Sequence, residues 1–314
     1  MNMTHSQTGK GLLRLQLSEL VINWHVTEAC NYHCRYCYAH WEKRGREIIH
    51  NHSASTRMLQ ELWQHFSPTN LDNPLRRHMD WKGVRLNLAG GEPLLYPDRV
   101  SQIVKAAREV GFTASLITNG SELSPKLAQQ IAPDLSMLGV SLDSSLPDTN
   151  QQIGRQDKHG LVLEIEQLEK AIQAARRHNP NLQIKLNTVV NSLNCREDLS
   201  SVVLRLSPHR WKVLRMLPVV TNDLAVSDSD FFGFVIRHRH LGTTLCVEDN
   251  SEMLESYVMI DPNGRFFQNA LGQSSYRYSR PILDIGVEHA FASVGMEPAK
   301  FCARYHGTFM EKAA

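Results

Sequence analysis

"LVINWHVTEACNYHCRYCYAHW" (residues 20–41) joins an apolar, strand-like run directly to a cluster of three cysteines. Residues 20–26 are rich in β-branched and aromatic side chains, which favours a buried strand. Cys30, Cys34 and Cys37 follow within eight positions, in the spacing C-x3-C-x2-C. If the strand belongs to a parallel barrel, the cysteines lie at the edge where the strands end, which is where such barrels place their chemistry.

Five further strand-like runs follow the first, and helix-like segments separate most of them. They cover residues 84–89, 113–118, 135–143, 182–190 and 210–219. Six strands mostly followed by helices predict an α/β fold, a partial (β/α)6 barrel with a C-terminal extension. We expect a frayed tail at 1–17, the barrel core at 18–220 and the extension at 221–314. A hairpin is predicted within the extension, turning at residues 262–264.

Composition narrows the class of protein. The 314 residues carry a formal net charge of +2, so no overall field attracts nucleic acid or an anionic membrane. The first residues lack the apolar centre of a signal peptide, and no apolar run is long enough to span a membrane. We therefore expect a cytoplasmic protein without direct nucleic-acid binding, and separately we expect a monomer. In the cytoplasm clustered cysteines usually indicate metal or redox chemistry.

The three cysteines are compatible with two kinds of metal site. A structural zinc ion prefers four ligands, and the fourth would come from His33, His40 or Cys302, which makes a zinc-binding module one hypothesis. A [4Fe–4S] cluster can be held by three thiolates, with the fourth iron left to bind a small molecule. The spacing C-x3-C-x2-C favours the cluster, because no second cysteine pair lies nearby.

Small polar residues and glycines follow three of the later strands. A single one of these is as well explained by a tight turn or a helix cap. Three in succession at one edge of the sheet favour a polar ligand. The residues are Gly90, Gly91 and Glu92 after the second strand, Asn119 and Ser121 after the third, and Ser141 and Asp143 after the fourth.

Strands five and six carry cations where a buried parallel strand should be apolar. Lys185 and Asn187 share one face of strand five, and Arg210 and Lys212 share one face of strand six. Together with Arg155 in the preceding loop, these cations suit a polyphosphate, although a solvent-facing charged edge is the alternative. Arg215 lies on the opposite face from Arg210, so a structural ion pair is expected for it.

"CNYHCRYCYA" and "LNLAGGEPLL" together resemble the radical S-adenosylmethionine superfamily. The resemblance implies that S-adenosylmethionine binds the open iron of a [4Fe–4S] cluster held by Cys30, Cys34 and Cys37. One electron then cleaves the sulfonium and yields a 5′-deoxyadenosyl radical, and no further catalytic residue is assigned. The positions implied for S-adenosylmethionine are Tyr36, Gly90, Gly91, Glu92, Asn119, Ser121 and Ser141.

"IKLNTVVN", "RWKVL" and "SYVMIDPNGRFFQN" narrow the resemblance, over residues 18–306, to the viperin family. Viperins convert a ribonucleoside triphosphate to its 3′-deoxy-3′,4′-didehydro analogue, which terminates RNA chains. The resemblance implies loss of the C4′ hydrogen and of the 3′-hydroxyl as water, and a role in defence against phage. It also implies that the extension closes the nucleotide site. The implied triphosphate-binding residues are Arg85, Arg155, Lys185, Asn187, Arg210 and Lys212.

The chain departs from animal viperins in features that bear on substrate and partners. It lacks their amphipathic N-terminal anchor and has Asn263 where they carry an aromatic residue, at a turn expected to contact the base. CTP, UTP and GTP therefore remain open. The resemblance also implies a one-electron donor of the flavodoxin or ferredoxin type. A radical enzyme acting on a peptide or partner protein is the nearest alternative.

Overall fold

The computed structural model describes residues 15–39, 46–218, 221–269 and 276–306, and its central feature is one ten-stranded sheet. The strands are β1 (Leu15–His25), β2 (Met79–Ala89), β3 (Thr113–Thr118), β4 (Met137–Ser141), β5 (Gln183–Val190), β6 (Arg210–Arg215), β7 (Leu245–Glu248), β8 (Val258–Ile260), β9 (Arg265–Gln268) and β10 (Arg277–Pro281). Their order across the sheet is β10-β9-β8-β1-β2-β3-β4-β5-β6-β7.

The sheet is mostly parallel. Strands β1 to β7 pair in chain order, each parallel to the next. On the other side of β1, β8 pairs in parallel, and β9 and β10 continue the sheet as antiparallel strands. The predicted α/β fold with a parallel, partial barrel is confirmed. The C-terminal extension adds strands to both edges of it.

Helices follow most of the parallel strands and begin and end at recognisable signals. In chain order they are α1 (His52–Phe66), α2 (Pro97–Val110), α3 (Pro125–Ile131), α4 (Pro147–Ile153), α5 (Ile165–His178), α6 (Ser200–Leu206), α7 (Asp228–His238), α8 (Asn250–Met253), α9 (Ile282–Ile285), α10 (Val287–Ala292) and α11 (Pro298–His306). The Asn51 side chain caps α1, and Pro97 and Pro125 occupy the first turns of α2 and α3.

The main hydrophobic core lies between the sheet and these helices. Ile22 and Trp24 of β1 and Leu86 and Leu88 of β2 are fully buried in it. Because side chains alternate along a strand, the residues between them point to the other face of the sheet. That face carries Asn23 and Asn87, which are polar. The sheet therefore has an apolar outer face and a polar inner one.

Two strand boundaries differ from the predictions, and one predicted turn is found. Strand β1 begins at Leu15, so Leu15, Gln16 and Leu17 belong to the sheet and not to a tail; residues 1–14 lie outside the described ranges. Strand β2 begins at Met79, five residues earlier than expected, because it pairs with the early part of β1. The hairpin predicted at residues 262–264 is confirmed as the antiparallel pair β8 and β9.

Candidate active site

A cavity of about 320 Å³ lies against the inner face of the sheet. Alternate residues of consecutive strands line it, among them Asn23 of β1, Asn87 of β2, Asn187 of β5 and Lys212 of β6. A volume of this order is typical of a site for a small molecule. The lining is polar and charged deep in the sheet, where a buried parallel barrel would usually carry apolar side chains.

The loop after β1 brings all three clustered cysteines to this cavity: Cys30, Cys34 and Cys37. Backbone hydrogen bonds hold the loop against the end of α4. The amide of His33 donates to the Gly154 oxygen at 3.1 Å, and the amide of Arg35 donates to the Ile153 oxygen at 2.9 Å. A side chain at Gly154 would collide with the His33 carbonyl, so the two backbones meet as closely as glycine permits.

The three thiols form a donor set that suits an iron–sulfur cluster. Burial raises the pKa of each thiol, that of Cys34 to about 12, and the Arg155 charge opposes the shift at Cys34 and Cys37. Thiolates there need a strongly positive partner. Within the described ranges no three Cys, His, Asp or Glu side chains converge closely enough to hold one metal ion. A cubane cluster instead binds each thiolate through a different iron.

The zinc hypothesis finds no fourth ligand among two of its three candidates. His33 is exposed and does not line the cavity. Cys302 is buried in the core, with its Sγ 3.5 Å from the Sδ of Met79, the first residue of β2. That position is at the opposite end of the strands from the cysteine loop. His40 lies outside the described residues.

Two glycines follow β2 and pack directly on the cysteine loop. Gly90 has a φ of 139°, and a Cβ there would lie 2.6 Å from the Thr27 oxygen. A Cβ on Gly91 would meet the carbonyl oxygen of Ala29. The amide of Gly91 donates to the Thr27 oxygen at 2.7 Å. Both glycines line the cavity, so their small size leaves room for the loop and for a ligand.

Glu92 does not line the cavity but is fully buried behind it. Its carboxylate accepts hydrogen bonds from the Leu94 amide at 2.8 Å, the Thr118 hydroxyl at 2.7 Å and the Asn119 amide at 2.6 Å. Burial raises the pKa of Glu92 to about 7, although these hydrogen bonds oppose the shift. The side chain thus joins the loops after β2 and β3.

The two polar residues after β3 have different positions. Asn119 lines the cavity, and its Nδ2 donates to the Asn31 oxygen at 2.9 Å beside the Cys30 sulfur at 3.9 Å. Ser121 is exposed and lies outside the lining, where its hydroxyl donates to Asn119 Oδ1 at 2.6 Å. The structure therefore places Ser121 next to Asn119, and its role near S-adenosylmethionine stays a prediction.

Arg155 lines the cavity with the other predicted phosphate-binding cations but has partners of its own. It forms an ion pair with Asp143 at 3.5 Å and donates to the Ser141 carbonyl at 2.6 Å and the Tyr36 hydroxyl at 3.3 Å. Tyr36 also donates a short hydrogen bond to the fully buried Asp143. These contacts join Arg155 to the ends of β4 and of the cysteine loop, and its grouping with Lys185 at the triphosphate stays a prediction.

The remaining cations lie deeper in the sheet, in register on neighbouring strands. Lys185 of β5 pairs with Arg210 of β6, and Asn187 pairs with Lys212. All four line the cavity. Burial, followed by the charges of Lys212 and Arg210, lowers the pKa of Lys185 well below its usual value. The described residues offer Asn187 Oδ1 no hydrogen-bond partner, which favours a ligand at this buried amide.

Arg85 lines the cavity from β2 and is already neutralised. Its Nε lies 3.0 Å from a carboxylate oxygen of Glu19, and its Nη1 donates to the Ser115 hydroxyl at 3.2 Å. The Ser115 hydroxyl donates a hydrogen bond to Asn87 Oδ1 at 2.8 Å, and Asn87 Nδ2 donates to Asn23 Oδ1 at 2.9 Å. The sequence analysis missed this chain of neutral groups, although their alternation with apolar residues along β1 and β2 is a visible signal.

A second missed group lies beside Lys212. Its ammonium is 2.5 Å from Glu248 Oε1, and the other carboxylate oxygen accepts from the Tyr257 hydroxyl at 2.9 Å. Arg304 of α11 also forms an ion pair with Glu248. The sequence offered little to find these residues, because β7 is only four residues long and α11 reads as an ordinary amphipathic helix.

Asn263 is not brought to the cavity. It lies in the turn between β8 and β9, where the Pro262 carbonyl accepts from the Ile48 amide at 2.9 Å. A Cβ on the adjacent Gly264 would lie 3.3 Å from the Met58 sulfur of α1. The turn therefore packs towards the outer helix layer, which gives the predicted contact with a base no support.

Two further expectations concern Arg215 and His25, which also line the cavity. Arg215 forms ion pairs with Asp228 at 2.5 Å and Asp249 at 3.4 Å, which confirms the predicted structural ion pair. His25 is buried, with its ring packed edge-on against Tyr38 and Phe267. Burial lowers the pKa of His25 to about 3, so the ring is neutral at physiological pH.

Comparison with known proteins places this geometry in context. Residues 24–193 match the family model of the radical SAM superfamily. The chain is 41% identical over 289 residues to an S-adenosylmethionine-dependent nucleotide dehydratase of Psychrobacter lutiphocae, covering 91% of this chain and 95% of that protein. It is 38% identical over 299 residues to the enzyme of the same name from Pseudoalteromonas ulvae, covering 95% and 96%.

Solved structures show the same fold at low sequence identity. Native anSMEcpe with bound AdoMet and the Kp18Cys peptide superposes with a TM-score of 0.65 and 14% identity, over 92% of this chain and 84% of that one. None of the helices in the described ranges combines the length and apolar character that a membrane crossing requires.

Proposed function

This chain belongs to the radical S-adenosylmethionine superfamily and, within it, to the S-adenosylmethionine-dependent nucleotide dehydratases, the viperins, and from this premise we propose its substrate and reaction. The enzyme is a nucleotide dehydratase that uses a [4Fe–4S] cluster and S-adenosylmethionine. We propose that it converts a ribonucleoside triphosphate to the 3′-deoxy-3′,4′-didehydro analogue, with loss of the 3′-hydroxyl as water.

One observation carries this proposal. The cysteine loop lines the same cavity as Lys185 and Arg210, the two cations that no carboxylate in the described ranges balances. Cys30, Cys34 and Cys37 lie where β1 ends, and Lys185 lies five residues before the end of β5. At about 3.3 Å per residue this places Lys185 roughly 16 Å below the edge of the sheet. A triphosphate held by Lys185 and Arg210 would then direct its ribose towards the cysteine loop.

The chain's own residues divide the work between two ends of the cavity. When bound, S-adenosylmethionine and the reduced cluster supply a 5′-deoxyadenosyl radical, the species that would take the C4′ hydrogen. The three cysteines would hold the cluster, and Gly90 and Gly91 would leave room for the methionine moiety. A site that excludes water once its ligands are bound would protect a reactive intermediate.

The pair of Arg155 and Asp143 would complete the S-adenosylmethionine end. Arg155 is buried next to Tyr36 and the Ser141 carbonyl, on the same side as the cysteine loop. Its cationic group suits a carboxylate, which the methionine moiety carries. This role differs from the triphosphate contact that the sequence suggested for it, which stays a prediction.

The deeper residues would bind the phosphates. Lys185, Arg210 and Lys212 supply the charge, and Asn187 supplies a neutral group among them. Arg85 would add little net positive charge to the phosphate site, since Glu19 already balances its charge. Its contribution would be its place in the cavity lining. CTP, UTP and GTP all fit this description, because no base contact is assigned.

The biological setting is also part of the proposal. We infer that the product, which lacks a 3′-hydroxyl, terminates RNA chains and serves in defence against phage. Each turnover would take two electrons, one to cleave S-adenosylmethionine and one to reduce the substrate radical as the 3′-hydroxyl leaves as water. Both would come from a cellular donor of the flavodoxin or ferredoxin type. The enzyme would act as a cytoplasmic monomer, with the C-terminal extension closing the nucleotide site.

Anaerobic incubation of the reconstituted enzyme with reductant, S-adenosylmethionine and each ribonucleoside triphosphate tests the reaction. We expect one or more of them to yield a product lighter by one water, together with 5′-deoxyadenosine. The Cys34→Ala variant should make neither, and Cys195→Ala, which removes a thiol outside the cavity, should make both. If 5′-deoxyadenosine formed while none of the four nucleotides changed in mass, the substrate assignment would be refuted.

A further inference from the structure

Glu248 is the residue to which this inference applies. We propose that Glu248 is a positioning residue of the nucleotide site, whose carboxylate holds Lys212 and Arg304 on one wall of the cavity and so prepares both cations for phosphate. The inference rests on the proposed function, since it assigns part of the same site. It adds a carboxylate to a site otherwise described by its cations.

The contacts around Glu248 use both of its oxygens. Oε1 lies 2.5 Å from the Lys212 ammonium, and Oε2 accepts from the Tyr257 hydroxyl at 2.9 Å and pairs with Arg304. Lys212 also donates to the Tyr257 hydroxyl at 3.2 Å, and Arg304 donates to the Ser256 hydroxyl at 2.6 Å. The carboxylate is thus the common partner of two cations that come from different parts of the chain.

These groups are buried, which makes the arrangement specific. The side chains of Glu248, Lys212 and Arg304 are 6%, 9% and 3% exposed. A buried charge is costly unless it is paired and hydrogen-bonded, and removal of one partner leaves the other uncompensated. Glu248 therefore connects β6, β7 and α11 through an interaction that none of them could make alone.

The arrangement leaves the cavity positive. One carboxylate, that of Glu248, contacts both Lys212 and Arg304. Within the described ranges neither Lys185 nor Arg210 has an ion-pair partner, and Arg210 donates instead to the Cys246 sulfur at 2.7 Å. A polyphosphate carries several negative charges and would meet this excess. Glu248 thus fixes the geometry of two cations without cancelling the attraction.

Glu248 also controls whether Lys212 is charged. Burial lowers the pKa of Lys212 to about 8, and Glu248 opposes that shift. A lysine binds phosphate in its charged form, so affinity is present below this pKa and is lost as the pH rises through it. The groups that face Lys212 are Glu248 of β7, Arg304 of α11, Arg210 of β6, Lys185 of β5 and Tyr257 before β8.

Calorimetric binding of inorganic triphosphate to the full-length, cluster-reconstituted enzyme between pH 6 and 9 tests this role. For Glu248→Gln we expect the midpoint of affinity loss with rising pH to move down by at least one pH unit. For Arg304→Gln we expect the midpoint to move up, because the Arg304 charge lowers the pKa of Lys212. The titration of triphosphate itself is the same in all samples and cancels.

Glu252→Gln is the matched control. Glu252 is an exposed residue of α8, four positions away, and its carboxylate caps that helix. Glu252→Gln removes the same negative charge as Glu248→Gln but leaves the pair of Glu248 and Lys212 intact. The midpoint of affinity loss for this variant should therefore stay at the wild-type value. In turnover, Glu248→Gln should raise the nucleotide KM at least tenfold at pH 8 while kcat changes less. Melting curves and iron content establish that each variant is folded and loaded.

Two outcomes separate this inference from the proposed function. If the wild type converts a nucleotide but Glu248→Gln keeps the wild-type midpoint and KM, the positioning role is wrong and the function stands. If the wild type converts no nucleotide, the function is wrong, while the opposite shifts of the two variants still report on Glu248. Equal shifts from Glu252→Gln would also overturn the role, since they would reflect net charge alone.

Discussion

Lys185 is a half-buried ammonium group whose closest charged neighbours are mostly cations. Burial and the charges of Lys212 and Arg210 lower its pKa, so an anion that enters the cavity relieves an unfavourable arrangement. Arg210 lies beside it in register. These two residues are therefore the most direct probes of phosphate binding.

Lys185→Ala and Arg210→Ala should each raise the nucleotide KM by tens to hundreds of fold. This corresponds to about 1.5–3 kcal/mol for a lost hydrogen bond to a charged group. The turnover number should change less, because the substituted groups are remote from the cysteine loop. Steady-state kinetics with the preferred nucleotide measures both values.

Arg205→Ala provides the control for these two variants. Arg205 lies in α6 and pairs with Glu169 of α5 on the exposed surface, so its loss removes one positive charge outside the cavity. Its KM should match that of the wild type. If the wild-type enzyme bound a nucleoside as tightly as its triphosphate, the phosphate-binding role of Lys185 and Arg210 would be untenable.

The positions of some site residues could be predicted from the sequence, and those of others could not. Strand alternation was sufficient to place Lys185, Asn187, Arg210 and Lys212 on the inner face, and all four line the cavity. Arg155 was grouped with them by its charge, its loop and the family resemblance, and its ion pair with Asp143 could not be read from the sequence. Glu248 and Arg304 meet across 56 positions, which no local pattern reveals.

The loop after β2 is the element that fixes the cysteine loop. Gly91→Ala would drive a methyl group into the backbone of Glu28 and Ala29, which leaves it no room. We expect this variant to lose iron and to melt at a lower temperature than the wild type. Iron content per chain and thermal melting measure the two effects.

Gly233→Ala is the comparison for that variant. Gly233 lies within α7, and a Cβ there would meet no atom within 4 Å. Alanine is favoured over glycine in a helix interior by about 1 kcal/mol, so this change should stabilise the protein and leave the iron content unaltered. A Gly91→Ala protein that held as much iron as Gly233→Ala would contradict the packing argument.

Elements were predictable where their own residues determine them. The six central strands were found because apolar runs alternate with helix-like segments. The start of β2 was missed because Asp80, Lys82 and Gly83 interrupt its apolar pattern. Strand β7 was missed for a similar reason: its first three residues are only partly buried, and it forms because β6 offers a free edge.

At the scale of the whole molecule, ligand binding should increase the free energy of unfolding and therefore the melting temperature. A ligand present at 100 times its dissociation constant stabilises the folded state by about 2.7 kcal/mol. We expect the preferred triphosphate to raise the melting temperature of the reconstituted enzyme by several degrees, and the matching nucleoside to raise it less. Differential scanning fluorimetry measures this.

Salt should reduce the difference between triphosphate and nucleoside, since screening weakens interactions between charges. Equal stabilisation by both ligands at low salt would show that the cations of the cavity do not engage the phosphates. The comparison uses the same protein sample throughout, so differences in cluster loading do not enter it.

The position of β1 inside the sheet, between β8 and β2, has a consequence for how the chain is made. Asn23 of β1 and Val258 of β8 are 235 positions apart in the sequence. At about 5–20 residues per second, a ribosome needs on the order of 10–50 s to synthesise the second after the first. During that interval the strand that leads into the cysteines has an unpaired edge, which is a template for aggregation. We therefore expect this edge to need shielding, for example by a chaperone, until β8 has been synthesised.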